Sequence, residues 1–125
     1  VKYLLDTNAL LWWLSNDISL SPEAQTKIGS PDNLIFVSAV SAWEISIKKA
    51  IGKLDAPDDL EAAIIDSRFE PLSISIGDGI AAGKLPHYHN DPFDRMLIAQ
   101  AISHDLTIIT SDHKFEQYDV KLLNT

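Results

Sequence analysis

The sequence predicts an α/β fold: a three-layer α/β/α sandwich around a central, mostly parallel sheet. Three observations predict it. Strand-like and helix-like segments alternate along the chain, which is the pattern of a sheet built by crossover connections. The strand-like segments are continuous apolar runs, as expected of strands buried on both faces. Two of those runs lead directly into aspartates, Leu4-Leu5 into Asp6 and Ile109-Thr110-Ser111 into Asp112, and sheets of this class place their sites at the C-terminal strand ends.

Lys2–Leu5 reads as a buried strand and Ala9–Leu14 as the helix after it. Ser21-Pro22-Glu23 starts a second helix, with Ser as N-cap and Pro at the first helical position. Leu34–Val37 is the second strand. Val40–Leu54 is the next helix, ended by Gly52 and the turn-forming Asp55–Asp58. Leu60–Phe69 reads as helix, Leu72–Ile76 as strand and Ile80–Leu85 as a short helix. Pro86–Asp91 is a loop, and Pro92 opens a long helix to His104. Thr107–Thr110 and Val120–Leu123 are the last two strands. There is no internal repeat and no low-complexity stretch.

A chain of 125 residues fits one domain, residues 1–125, and at about this length folding buries roughly two-thirds of the surface without staples. Its 46% hydrophobic and 22% charged residues exclude a disordered or collagen-like chain. With no cysteine, disulfides, thiolate zinc sites and a cysteine nucleophile are excluded; this fits a reducing compartment. No apolar run approaches the ~20 residues that span a bilayer, so no membrane partner is expected. The apolar N-terminus is broken by Asp6 and Asn8 and suits a buried strand better than a signal peptide. Val1 in first place suggests an initiator methionine removed or not recorded. The net charge of −8, with arginine only at positions 68 and 95, argues at first sight against nucleic acid unless something local reverses the field.

The informative charges are those in the wrong places. In the helix from Pro92, Leu97, Ile98 and Ala101 define the buried stripe, and Asp94 falls in its centre. Glu44 lies at the edge of the stripe formed by Val40, Trp43, Ile47, Ile51 and Leu54. Each has a purely structural reading. Asp91 and Asp94 can cap their helix, Glu44 can pair with Lys48 or box with Ser41, and Asp6 and Asp112 can cap the helix or turn after them. Together, however, four carboxylates from two strand ends and two helices converge on one sheet edge. Burying them uncompensated is costly, and a hard divalent cation, Mg²⁺ or Mn²⁺, relieves that cost. Such a cluster suits phosphodiester hydrolysis.

These residues resemble the PIN-domain ribonucleases, and within them the VapC-like toxins of bacterial toxin–antitoxin pairs. The resemblance rests on Leu4–Leu14, Val37–Ile45, His89–Ala101 with its Asp-Pro-Phe-Asp-Arg run, and Ile108–Asp112, in family order. It implies that Asp6, Glu44, Asp94 and Asp112 are the catalytic, metal-holding set, with one or two Mg²⁺ or Mn²⁺ ions. It also implies cleavage of RNA, a homodimer, a VapB-like antitoxin partner and a bacterial or archaeal cytoplasmic setting. Thr7, Asn8, Thr110 and Ser111 adjoin these positions and are read either as orienting groups or as caps and turn residues. Asp91 is a further supporting residue, and Arg95 is read as either a phosphate binder or half of a structural ion pair. The chain departs from the family pattern at His87-Tyr88-His89, where adjacent histidines are usual, and at Asn8, where this branch carries His.

Three rival readings compete. His87-Tyr-His89-Asn-Asp91 resembles the start of a metallo-β-lactamase motif, but Pro92 stands where another His is needed. A response-regulator receiver domain shares the length and acidity but needs a paired acidic site after its first strand, where Thr7 and Asn8 stand. A degenerate PIN domain that only binds is disfavoured by four filled acidic positions. Trp12, Trp13 and Trp43 are expected in the core or a dimer interface.

Overall fold

The computed structural model describes all of residues 1–125. Five strands form one fully parallel sheet in the order β3-β2-β1-β4-β5. The strands are β1 (Lys2–Leu5), β2 (Leu34–Ser38), β3 (Glu70–Leu72), β4 (Thr107–Thr110) and β5 (Leu122–Asn124). The helices are α1 (Thr7–Ser15), α2 (Pro22–Gly29), α3 (Ala39–Ala50), α4 (Leu60–Asp66), α5 (Ile76–Lys84) and α6 (Pro92–His104), with a 3₁₀ turn at His113–Gln117.

The central strands are apolar on both faces because both are covered. Tyr3, Leu5 and Ile109 point into one core with Leu10, Leu20 and Ile28 from α1, α2 and the turn between them. Leu4 and Ile108 point into the other with Leu97, Ile98 and Ala101 from α6 and with Phe115 and Tyr118. The Leu97-Ile98-Ala101 stripe is therefore buried as its spacing predicts. No helix is long and apolar enough to cross a membrane.

The order of strands fixes where a site can form. The chain builds outward from β1 through β2 to β3, then crosses back to lay β4 on the other side of β1. The crevice between β1 and β4 is thus the switch point of the sheet, where the connections diverge and side chains can gather. Helices that follow a strand begin at this C-terminal edge, and α6, which precedes β4, also begins there.

Four boundaries differ from the sequence reading by three residues or more. Helix α3 stops at Ala50 rather than Leu54, because Gly52 turns at φ +73 and Gly52 and Lys53 donate back to the Lys49 and Lys48 carbonyls. Helix α4 stops at Asp66 by the same device, but with Arg68 at φ 63 in the left-handed position that glycine usually fills. The third strand is Glu70–Leu72, not Leu72–Ile76, and it contains Pro71, which an edge strand tolerates. Helix α5 starts at Ile76, earlier than Ile80, nucleated by a reciprocal cap between Ser75 and Asp78 that outweighs Gly77 and Gly79 in its first turns.

Candidate active site

Asp6 leaves β1 with an extended backbone and caps α1, its Oδ1 accepting from the Ala9 N–H at 2.7 Å. Its own N–H donates to the Ile109 carbonyl, which locks it against the end of β4. Burial lifts its carboxyl to about 6, against hydrogen bonds from Thr110 and Ala9; the charges of Asp112 and Glu44 push it further in the same direction.

Glu44 sits in the second turn of α3 and is buried. Its Oε1 accepts from the Thr7 hydroxyl at 2.6 Å, and its Oε2 pairs with Lys48 one turn later. The Thr7 oxygen also lies 3.2 Å from Ser41 Oγ. Thr7 therefore orients Glu44 and ties α1 to α3, while the Lys48 pair follows the i,i+4 spacing.

Asp91 and Asp94 divide the work at the start of α6. Asp91 Oδ1 accepts from the N–H groups of Phe93 (2.8 Å) and Asp94 (3.2 Å), so Asp91 is the cap. That leaves the Asp94 carboxylate for the site, where its Oδ2 lies 2.7 Å from His89 Nε2. Burial raises the Asp94 carboxyl to about 6; the charge of Asp91 adds to the rise and His89 opposes it.

Asp112 follows β4 by two residues and caps the 3₁₀ turn through the Lys114 N–H at 2.9 Å. Its free Oδ2 lies 3.6 Å from His89 Nε2. One donor atom each from His89, Asp94 and Asp112 fall within 4.8 Å of one another. None of Asp6, Asp94 or Asp112 forms an ion pair with lysine or arginine.

His89 is the residue that the sequence reading missed. The His87-Tyr88-His89 run carried the signal but suggested a pair of ligands. Only His89 turns inward, with 7% exposure, while His87 and Tyr88 face solvent. Arg95 does neither thing expected of it. Its guanidinium donates to the carbonyls of Ala82, Gly83, Leu85, Pro86 and His89, so it holds backbone and neither an acid nor a free surface. Asn8 and Ser111 are exposed beside the site without a hydrogen bond to its carboxylates. Trp12 and Trp13 pack against the core, but Trp43 is 60% exposed, edge-on to Phe93. A cavity of about 420 Å³ lies elsewhere, between β3, α3 and α4, and its lining is mostly apolar.

Gathered acids at the switch point of a five-stranded parallel sheet define a class. A family model for the PIN domain matches residues 3–121, and the chain belongs to the PIN-domain family. Solved structures agree in fold. One is a chain of VapBC2 from Rickettsia felis bound to a promoter DNA fragment, at TM-score 0.74 and 19% identity, covering 99% of this chain and 98% of that one. Another is a chain of DNA-bound VapBC from Salmonella typhimurium, at TM-score 0.72 and 20% identity, with 99% and 98% covered. VapBC-1 from nontypeable Haemophilus influenzae gives TM-score 0.66 and 21% identity, again with 99% and 98% covered. At these identities the likeness establishes the fold. No curated protein sequence matches the chain.

Proposed function

We propose that this chain is a divalent-cation-dependent endoribonuclease of the VapC type, the toxin of a toxin–antitoxin pair, formed by residues 1–125 as one nuclease domain. The observation that carries the reading is the state of Asp6 and Asp94. Burial raises both carboxyls to about 6 and neighbouring acids add to the rise, with no lysine or arginine paired to either. An anionic cluster left short of positive charge is arranged to receive it from elsewhere.

The donor set fits Mg²⁺ or Mn²⁺. Asp6, Asp94 and Asp112 offer hard carboxylate oxygens, Glu44 stands behind them, and there is no thiolate to favour zinc. When bound, such an ion supplies Lewis acidity and a water of lowered pKa. The chain itself contributes orientation. Thr7 fixes one oxygen of Glu44 and Lys48 the other, Ala9 holds one oxygen of Asp6, and Asp91 takes over the helix cap so that Asp94 does not have to. Lys48 also feels the charges of Asp91 and Asp94, which help keep it protonated beside the cluster.

RNA as the substrate, a VapB-like antitoxin, a homodimer and a bacterial or archaeal cytoplasmic setting belong to the same proposal. The antitoxin is supported by structural relatives that are VapBC chains. The uncovered apolar strip of Trp43 and Ile47 on α3 and Ile51 just past its end supports a protein partner. The test is cleavage of single-stranded RNA by the purified chain with Mg²⁺ or Mn²⁺, compared with chelator and with Asp94→Asn. Cleavage that needs the ion and Asp94 is the expected result. Equal cleavage by Asp94→Asn overturns the assignment.

A further inference from the structure

The loop from Leu85 to Asp91 is held by two side chains from outside it, and what it carries to the site is one imidazole. Arg95, 8% exposed, donates to five carbonyls along Ala82–His89, including the His89 carbonyl at 3.2 Å. The Tyr118 hydroxyl accepts from the His89 N–H at 3.0 Å and donates to the Pro86 carbonyl at 2.6 Å. The His89 ring then lies 6.0 Å, centroid to centroid, from Phe115. Its Nδ1 is 3.5 Å from the Asp91 N–H, a weak contact that favours Nδ1 as acceptor and places the ring proton on Nε2. Nε2 faces Asp94 Oδ2 at 2.7 Å and Asp112 Oδ2 at 3.6 Å.

We infer that His89 is a positioning residue: its Nε2–H holds one oxygen of Asp94, with Asp112 alongside, so that the other Asp94 oxygen is presented to the cation. Arg95 and Tyr118 form the latch that fixes the imidazole. This rests on the cation-dependent reading above. Its physical basis is that a carboxylate with one oxygen already anchored loses less freedom on binding an ion, and outer hydrogen-bond partners of ligands act in this way. Gln at position 89 has an amide N–H at nearly the same reach from the backbone as Nε2, whereas Ala has no donor.

The test is Mn²⁺ binding measured by calorimetry and by pulsed electron paramagnetic resonance, on the full chain with its fold checked by circular dichroism. His89→Ala is expected to weaken Mn²⁺ binding about 10–100-fold, with His89→Gln recovering most of the loss. Tyr118→Phe keeps the ring in the core and removes only the latch hydroxyl; a smaller loss of about three- to tenfold is expected, the worth of one or two neutral hydrogen bonds. The resonance spectrum of the wild type is expected to show no directly bound imidazole nitrogen. Equal affinity in His89→Ala, no recovery in His89→Gln, or a directly bound nitrogen that disappears in His89→Ala each overturns the inference while leaving the cation-dependent reading standing. A wild type that binds no Mn²⁺ overturns both.

Discussion

Asp6 and Asp78 are both buried aspartates at the N-terminus of a helix, yet their carboxyls move in opposite directions. Asp78 has little solvent exposure but lies near the rim of the molecule. Burial would raise it, but the Ser75 N–H at 3.0 Å and the Gln100 amide at 3.2 Å both donate to its Oδ2, and the carboxyl ends below its ordinary value. Asp6 lies deeper and has acids for neighbours, and burial lifts it to about 6. A structural acid is surrounded by donors until its charge is satisfied. The acids at the β1–β4 crevice have hydrogen-bond partners too, but for Asp6 and Asp94 burial and the charges of neighbouring acids outweigh them, and this imbalance marks the candidate site.

The largest effect that would break this contrast concerns Asp94. Asp94→Asn is expected to lower cation-dependent RNA cleavage by more than about 100-fold, beyond the range typical of outer-shell partners, as followed by initial rates on a labelled RNA. The metal-free variant should melt at the same temperature or higher, since Asn still accepts from His89 and removes one charge from the cluster.

Next comes pH. The folded pKa of Asp6 is above its unfolded value, so the folded state holds this proton more tightly and ionisation costs stability. The penalty is absent below the ordinary value of 3.8 and complete above about 6. A shift of about two units corresponds to about 3 kcal/mol, and Asp94 acts in the same direction. In chelator, the protein should therefore gain thermal stability from these groups as pH falls from 8 to 5. Saturating Mg²⁺ should flatten the slope. A metal-free melting temperature that falls over that interval contradicts the contrast.

Asp78→Ala is expected to do the reverse of removing a site acid. It strands the Ser75 N–H and one N–H of the Gln100 amide, whose other N–H donates to the Ser73 carbonyl; it costs about 1–3 kcal/mol and lowers the melting temperature with or without cation. Smallest of all, Lys48→Ala removes a pair whose lysine is 40% exposed but whose Glu44 is buried, and should lower stability by about 1 kcal/mol, read by urea denaturation.

Much of the fold is legible in the sequence because its signals are local. Apolar runs mark β1, β2 and β4, Ser21-Pro22 marks the start of α2, and Asp91-Pro92 marks the start of α6. Where the reading slipped, a competing local signal misled it. Gly77 and Gly79 masked the Ser75–Asp78 cap, Ile74 and Ile76 drew the third strand past its true end, and Arg68 closed α4 where only a glycine would have announced a stop. In the site, the four acids stand out because each interrupts an apolar pattern. His89 and Arg95 do not, since their roles depend on how a loop folds back over α6. The long-range bonds from Tyr118 to that loop have no counterpart in spacing.

The most direct test of the cation site is a crystal of this protein soaked in Mn²⁺ and measured for anomalous scattering. A peak among the carboxylates of Asp6, Asp94 and Asp112 is the predicted result. A peak at exposed His87 with none among those three carboxylates, or no peak in an active protein, would contradict it.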